Sequence, residues 1–175
     1  MMSVSELEHH IGLYPDFPKA GILFRDISPM LASPGAMRVA IDAFRQGLEP
    51  FEPDLFAGIE SRGFLFSTLL AHEFGKGSLM IRKPGKLPGS LIAESYALEY
   101  GENTLTMQND APVRGKRVVL VDDLLATGGT VAASAALLRR LGAEPVATAV
   151  VIELEALKGR AAVGMPVVSL LAYDD

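Results

Sequence analysis

The sequence predicts an α/β fold in which a central, mostly parallel sheet carries helices on both faces. Short apolar runs rich in β-branched residues alternate with segments of helical periodicity, the pattern of successive strand–helix–strand units. The runs lack polar alternation, as expected for strands buried on both faces. Charged or glycine-containing loops follow three of the runs, at 60–63, 82–86 and 122–130. Because the carboxyl ends of parallel strands meet at one edge of a sheet, these loops are expected to form one site.

Composition predicts an ordinary globular protein of one domain. The chain has 175 residues, of which 49% are hydrophobic and 21% are charged, values typical of a folded domain. The net charge of −5 argues against nucleic-acid binding. No apolar run is long enough to cross a membrane, no signal peptide is recognisable, and cysteine is absent. These features predict a cytoplasmic protein without a membrane partner.

The first half of the chain begins with a segment of about 1–32 that is expected to be irregular, because its prolines exclude a long helix. Ser33 and Pro34 are typical of a helix start, and an apolar helical face follows as far as Leu48. The next predicted elements are a strand over 54–59, a helix over 64–74 and a strand over 78–81.

The second half begins with a predicted hairpin over 90–108, turning at 101–103. A strand over 118–121 follows, and two carboxylates, Asp122 and Asp123, are expected to end it. A helical pattern from Val131 to Leu141 stops at Gly142. The remaining predicted elements are a strand over 145–152, a short helical segment over 155–162 and a strand over 167–171.

Residues 126–130, with the sequence Ala-Thr-Gly-Gly-Thr, have the features of a phosphate-binding loop, and we call them the glycine loop. Small residues let several backbone N–H groups point at one anion, and the following helix adds the positive end of its dipole. Asp122 and Asp123 would repel a phosphate, so they are predicted to reach a polyol or the shell of a metal ion. Together the two parts predict a phosphorylated sugar as ligand.

Basic residues near two other strand ends predict a second anion subsite. Arg62 lies between a strand and a helix, where a guanidinium and backbone N–H groups can share one anion. Arg82, Lys83 and Lys86 cluster after the next strand and suit a diphosphate, which Mg²⁺ would bridge through oxygen ligands and waters. No G-x-x-x-x-G-K-[ST], G-x-G-x-x-G or G-x-S-x-G motif occurs, so the sequence gives no support to a P-loop nucleoside triphosphatase, a dinucleotide-binding protein or a serine hydrolase.

The run V-V-L-V-D-D-L-L-A-T-G-G-T resembles the binding motif of the type I phosphoribosyltransferases for 5-phosphoribosyl-1-pyrophosphate (PRPP). Phe24-Arg25-Asp26, Ser61-Arg62-Gly63 and Leu98-Glu99-Tyr100-Gly101 are similar to segments of the family members that act on adenine. The resemblance implies the type I phosphoribosyltransferase fold, with an N-terminal hood of about 1–32 and a flexible hairpin lid of about 87–109. It also implies a pentosyltransferase of purine salvage that converts adenine and PRPP into AMP and pyrophosphate, with Mg²⁺ as cofactor and a homodimer as the assembly.

The resemblance assigns roles to individual residues. The 5-phosphate would bind Ala126, Thr127, Gly128, Gly129 and Thr130, and the ribose hydroxyls would meet Asp122 and Asp123. The pyrophosphate would bind Ser61, Arg62, Lys83 and Lys86, with Arg82 reaching across from a dimer partner. Adenine would contact Leu23, Phe24, Arg25 and Tyr100, while Glu99 and Arg62 would be the catalytic residues. No residue is assigned as a certain metal ligand, because PRPP would carry most of the Mg²⁺ shell, with Asp122 and Asp123 nearby. A cis peptide at Glu60–Ser61 is also implied.

Two alternative functions remain beside this one. The first is a phosphoribosyltransferase for a 6-oxopurine such as hypoxanthine, against which Phe24-Arg25 argues. The second is a PRPP-sensing regulator without catalytic activity, which the acidic charge and the early position of the Phe24 segment disfavour. Taken singly, Phe24 also fits a core position, Arg62 a surface ion pair and Glu99 a solvated strand face.

Overall fold

The structure, a computed structural model, describes residues 2–98 and 101–174. Its α-helices are α1 (Ser28–Leu31), α2 (Pro34–Leu48), α3 (Gly63–Phe74), α4 (Gly129–Arg140) and α5 (Gly159–Val163). Its strands are β1 (Gly12–Pro15), β2 (Leu23–Asp26), β3 (Leu55–Ile59), β4 (Gly77–Ile81), β5 (Leu91–Leu98), β6 (Gly101–Gln108), β7 (Arg117–Leu125), β8 (Glu144–Leu154) and β9 (Val167–Tyr173). Short 3₁₀ turns span Ser5–His10, Glu49–Phe51 and Glu155–Leu157.

A parallel sheet forms the centre of the fold, with the strand order β4-β3-β7-β8-β9. Strand β7 lies in the middle and is bordered by β3 and β8. Its residues Val118 to Val121 are fully buried, as the unbroken apolar run predicts. The predicted parallel sheet is therefore confirmed, and the loops after β3, β4 and β7 lie at the same edge.

Both faces of the sheet are covered. On one face, α2 and α3 pack together through Phe44 and Phe66, whose ring centroids are 6.3 Å apart. On the other face, α4 inserts Leu137 and Leu138 into a second buried cluster that also contains Leu105 of the β5–β6 hairpin. The prediction of helices on both faces is thereby confirmed. Within the described residues, no helix is long and apolar enough to span a membrane.

The N-terminal segment is more regular than the sequence predicts. Strands β1 and β2 pair antiparallel, from Gly12 opposite Asp26 to Pro15 opposite Leu23, and a cis Phe17–Pro18 bond lies in their connection. The prolines do exclude a long helix, but they stand at a strand end, in the turn and at the start of α1. Backbone pairing across the turn, which local composition does not reveal, explains this difference.

Three predicted boundaries are wrong. Strand β7 continues through Asp122 and Asp123 to Leu125, because β8 is long enough to pair with Leu124 and Leu125. The 101–103 turn is instead the beginning of β6, where Glu102 pairs with Ala97. The helical segment predicted over 155–162 is divided at Lys158, whose φ of 54° interrupts the helical conformation.

Candidate active site

A cavity of about 510 Å³ lies at the carboxyl ends of β3 and β7. The residues predicted for ligand binding that line it are Ser61, Arg62, Lys83, Asp122, Asp123, Ala126, Thr127, Gly128 and Thr130. They come from the loops after β3, β4 and β7, so the prediction that these loops share one site is confirmed. Their individual roles remain predictions.

The glycine loop takes its shape from Gly128, which has φ of 85° and directly precedes α4. A Cβ at this position would lie 2.5 Å from the carbonyl oxygen of Gly159, so α5 leaves no space for a side chain here. Helix α4 begins at Gly129, directly after this residue of the cavity wall. The N–H groups of its first turn have no partner within the helix and carry the positive end of the helix dipole. This geometry suits a phosphate.

A partly buried ion pair, in which Glu153 is buried and Arg160 is half exposed, holds α5 behind the glycine loop. Arg160 Nε and Nη2 donate to the two carboxylate oxygens of Glu153, at 2.6 and 2.7 Å. A third donor of Arg160, Nη1, bonds the carbonyl oxygen of Val167 at 2.9 Å. Burial would raise the pKa of Glu153, but the bonds from Arg160 and Ser169 outweigh it, and the pKa lies below its usual value. The paired carboxylate stabilises the position of Gly159 against the loop.

Helix α3 begins close to the two carboxylates. A Cβ on Gly63 would collide with the backbone carbonyl of Val121, so glycine permits this approach of α3 to β7. The residue before it, Arg62, consequently reaches Asp123, and Arg62 Nε lies 2.8 Å from Asp123 Oδ2. The predicted pyrophosphate-binding residue and a predicted ribose-binding residue are thus paired with each other in this structure.

Asp122 has a pKa well above its ordinary value, first because burial disfavours its charged form and second because Asp123 lies beside it. The backbone N–H of Asp123 and the charge of Arg62 oppose this rise without overcoming it. Donors or a cation brought by a ligand would favour the ionised form. Among the described residues, no group of three or more His, Asp or Glu side chains could hold a metal ion. Asp122 and Asp123 could each offer a carboxylate oxygen to a cation in the cavity.

Glu60 links the ends of β3 and β4. Its Oε2 accepts from the backbone N–H of Lys83 at 2.8 Å and from Arg82 Nε at 3.3 Å. The Lys83 bond is the main reason that the pKa of Glu60 lies below its ordinary value. The Glu60–Ser61 peptide is cis, as the resemblance implied. These two hydrogen bonds, which we call the Glu60 clamp, hold Lys83 at the cavity.

Arg82 and Lys86 do not line the cavity in this structure. Arg82 Nη1 donates to the carbonyl oxygen of Lys86 at 3.2 Å, and its Cζ lies 5.7 Å from the centroid of the Phe64 ring. Their assignment to pyrophosphate remains a prediction.

Three of the residues assigned to adenine, Leu23, Phe24 and Arg25, lie on β2 next to the main cavity. Phe24 contacts Phe17 edge to face, with centroids 5.1 Å apart, and Arg62 Cζ lies 5.8 Å from the Phe24 ring centroid. A largely apolar cavity of about 440 Å³ is lined by Phe24 together with Tyr14, Pro15, Asp16 and Phe17. Leu23 is about one-third exposed, and the Arg25 guanidinium packs on the ring of Tyr173 at 4.2 Å. Arg62 therefore connects the aromatic surface with the carboxylates.

The hairpin contributes lining residues that sequence reasoning missed, namely Tyr96, Asn103 and Leu105. Tyr96 lies opposite Asn103 in the β5–β6 ladder, so both share one face. The alternation along the hairpin was the available signal, since it places every second residue on the cavity side. The predicted catalytic residue Glu99 and the predicted adenine contact Tyr100 lie outside the described residues.

Known proteins share this architecture. A crystal structure of adenine phosphoribosyltransferase from Thermoanaerobacter pseudethanolicus is 43% identical, covers 98% of this chain and 100% of its own, and superposes with a TM-score of 0.94. The enzyme from Saccharomyces cerevisiae, in complex with adenine and an imino-altritol bisphosphate, is 42% identical with a TM-score of 0.92 over 96% of this chain and 98% of its own. Adenine phosphoribosyltransferase of Gluconacetobacter diazotrophicus is 52% identical over 97% of each chain.

Residues 30–171 match the model of the phosphoribosyl transferase domain. The chain belongs to the phosphoribosyltransferase family. Within that family it groups with the adenine phosphoribosyltransferases, which cover almost its whole length.

Proposed function

We propose that this chain transfers the 5-phosphoribosyl group of PRPP to N9 of adenine, forming AMP and releasing pyrophosphate in purine salvage. The observation that carries the proposal is the single cavity in which the glycine loop, two carboxylates, Arg62 and Lys83 face one another. A sugar with a phosphate at one end and a diphosphate at the other matches the order of these groups along the cavity, from the glycine loop past the carboxylates to the basic residues. The adenine-binding segment adjoins it through Arg62 and Phe24.

The glycine loop holds the 5-phosphate through backbone N–H groups at the start of α4. Asp122 and Asp123 accept hydrogen bonds from the ribose hydroxyls. Because Arg62 is paired with Asp123 at 2.8 Å, its guanidinium exchanges this carboxylate for the pyrophosphate when PRPP enters. The exchange leaves Asp123 available for the ribose.

Ser61, Arg62, Lys83 and Lys86 bind the pyrophosphate. Negative charge grows on this group as its bond to the anomeric carbon breaks, and fixed cations stabilise it more in the transition state than in the ground state. Mg²⁺ fits the site as a cofactor carried by PRPP oxygens and waters, with Asp122 and Asp123 nearby, because such a cation needs few protein ligands. When bound, it would neutralise charge on the leaving pyrophosphate.

Phe24 provides an aromatic face for adenine, and the backbone of Leu23 and Arg25 reads its edge. Glu99 exchanges a proton with the purine as N9 attacks, an effect of about 10²- to 10⁴-fold for general acid–base catalysis. Glu99 and Tyr100 belong by sequence to the hairpin of about 87–109 that we assign as a lid. Closure of this lid over the cavity excludes water from the activated sugar.

We further propose that the chain forms a homodimer through the outer face of α3. Leu65 and Leu69 are 46% and 41% exposed, and with Met37 and Phe64 they line an apolar groove. Arg82 packs beside Phe64, a position from which it can reach a partner's site. Sedimentation equilibrium is expected to give twice the 18.7 kDa chain mass, and the single-chain mass would contradict the proposal. A cytoplasmic location also remains our prediction.

The experiment that tests the function measures AMP formation from PRPP and Mg²⁺, with adenine, hypoxanthine, guanine and orotate supplied separately. Turnover is expected with adenine alone and is expected to stop when EDTA removes Mg²⁺. Turnover with hypoxanthine or guanine would instead support a 6-oxopurine enzyme. Tight PRPP binding without turnover of any base would support the regulator.

A further inference from the structure

A hydrogen bond joins the hairpin to the glycine loop. Tyr96 Oη on β5 lies 2.9 Å from Thr130 Oγ1 in the first turn of α4, and the bond is partly buried. The two residues are 34 positions apart in sequence, and both line the main cavity.

The ring of Tyr96 also covers the loop. A Cβ built on Gly129 would lie 3.2 Å from Tyr96 Cδ2 and 3.6 Å from Tyr96 Cε2, so the ring rests against the backbone there. At the far end of α4, Arg140 Nη1 bonds the carbonyl of Ala93 at 2.6 Å and the carboxylate of Glu94 at 2.9 Å. In this structure the hairpin therefore contacts both ends of α4, and these contacts place the tyrosine hydroxyl at the glycine loop.

We propose that Tyr96 is a positioning residue for the 5-phosphate, acting through the hydroxyl of Thr130. This inference rests on the proposed function, in which the glycine loop binds that phosphate. A hydroxyl has one hydrogen to donate and two lone pairs that accept. If Tyr96 donates to Thr130 Oγ1, the hydrogen of Thr130 is left to donate into the cavity. A phosphate dianion offers only acceptors, so its presence selects this direction of the Tyr96–Thr130 bond.

The ligands of the site then fall into two groups, according to whether their binding depends on Thr130. Ribose 5-phosphate and AMP carry the 5-phosphate and depend on the orientation of Thr130. Pyrophosphate binds the opposite end of the cavity and does not. A merely structural role of Tyr96 would weaken both groups together.

Calorimetric titration of Tyr96→Phe in the presence of Mg²⁺ tests this separation. Its dissociation constants for ribose 5-phosphate and AMP are expected to rise about three- to tenfold, the range of one neutral hydrogen bond, with pyrophosphate affinity unchanged. The matched control is Ser95→Ala, which removes a hydroxyl from the neighbouring position of β5. That hydroxyl bonds Thr104 Oγ1 at 2.8 Å in an exposed pair, and all three affinities are expected to stay at the wild-type values.

A double-mutant cycle with Thr130→Val checks that Tyr96 acts through Thr130. The double variant is expected to bind ribose 5-phosphate with the same dissociation constant as Thr130→Val alone. A double variant whose loss of affinity equals the product of the two single fold-changes would overturn the inference. Unchanged ribose 5-phosphate affinity in Tyr96→Phe, or equal weakening of pyrophosphate, would also overturn it. These results leave AMP formation by the wild type intact and are therefore distinct from failure of the proposed function, in which the wild type forms no AMP from adenine and PRPP.

Discussion

Replacing Arg62 with alanine is expected to lower kcat/KM for PRPP about 10²- to 10³-fold, the usual effect of losing one preorganised electrostatic donor. The guanidinium is paired with Asp123 and lies near the Phe24 ring, so it is placed to meet the pyrophosphate once PRPP takes over the Asp123 contact. Initial rates of AMP formation at varied PRPP concentration measure the loss.

Two further variants distinguish the effect of the guanidinium's charge and shape on the rate from a nonspecific effect of losing an arginine. Arg62→Lys keeps the positive charge but lacks the planar fork, so a partial recovery of rate is expected. Arg139→Ala removes an exposed arginine from α4 and is expected to keep wild-type rates. Thermal unfolding of each variant records any loss of stability, because Asp123 is only 6% exposed and loses its ion-pair partner in Arg62→Ala. Wild-type kcat/KM in Arg62→Ala would refute the assigned role.

Replacing Gly128 with alanine is expected to lower kcat/KM for PRPP at least about 10²-fold. The new Cβ would lie 2.5 Å from the Gly159 carbonyl oxygen and 3.0 Å from Ala162 Cβ, so the loop must move away from α5. A displacement of about 1 Å at a binding group is enough for a loss of this size. Steady-state rates and ribose 5-phosphate titration both report it.

Gly164→Ala is the matched control for this change. Gly164 has a similar φ of 65°, but a Cβ there meets nothing within 4 Å, so it bears the left-handed strain of about 1–2 kcal/mol without a collision. Both variants should therefore lose stability, whereas only Gly128→Ala should lose phosphate affinity. Equal ribose 5-phosphate affinity in the two variants would contradict the assignment of the glycine loop.

Much of the fold follows from local pattern. The buried run 118–121 and the start of α2 at Ser33, whose hydroxyl accepts from Ala36 N–H at 3.3 Å, were predictable because strand burial and helix capping leave clear sequence signals. Convergence of the three loops followed from the parallel sheet. The type of each element was accordingly more predictable than its ends.

The remaining features depend on contacts between distant residues. The extension of β7 to Leu125 reflects the length of β8, and the β1–β2 pair depends on partners across a turn. Neither the Arg62–Asp123 ion pair nor the Glu60 clamp has a local signal, because each joins residues that lie in or shortly after different strands. The hydrogen bond between Tyr96 and Thr130 has no local signal either, since the two residues lie on different elements.

A crystal structure of the protein with AMP bound is the decisive measurement of the binding mode, because AMP carries the phosphate, the ribose and the base together. We expect the phosphate at about 3 Å from backbone N–H groups of 127–130, the ribose hydroxyls at Asp122 and Asp123, and adenine against Phe24. A phosphate bound instead at Lys83 and Lys86, with the base away from Phe24, would contradict it.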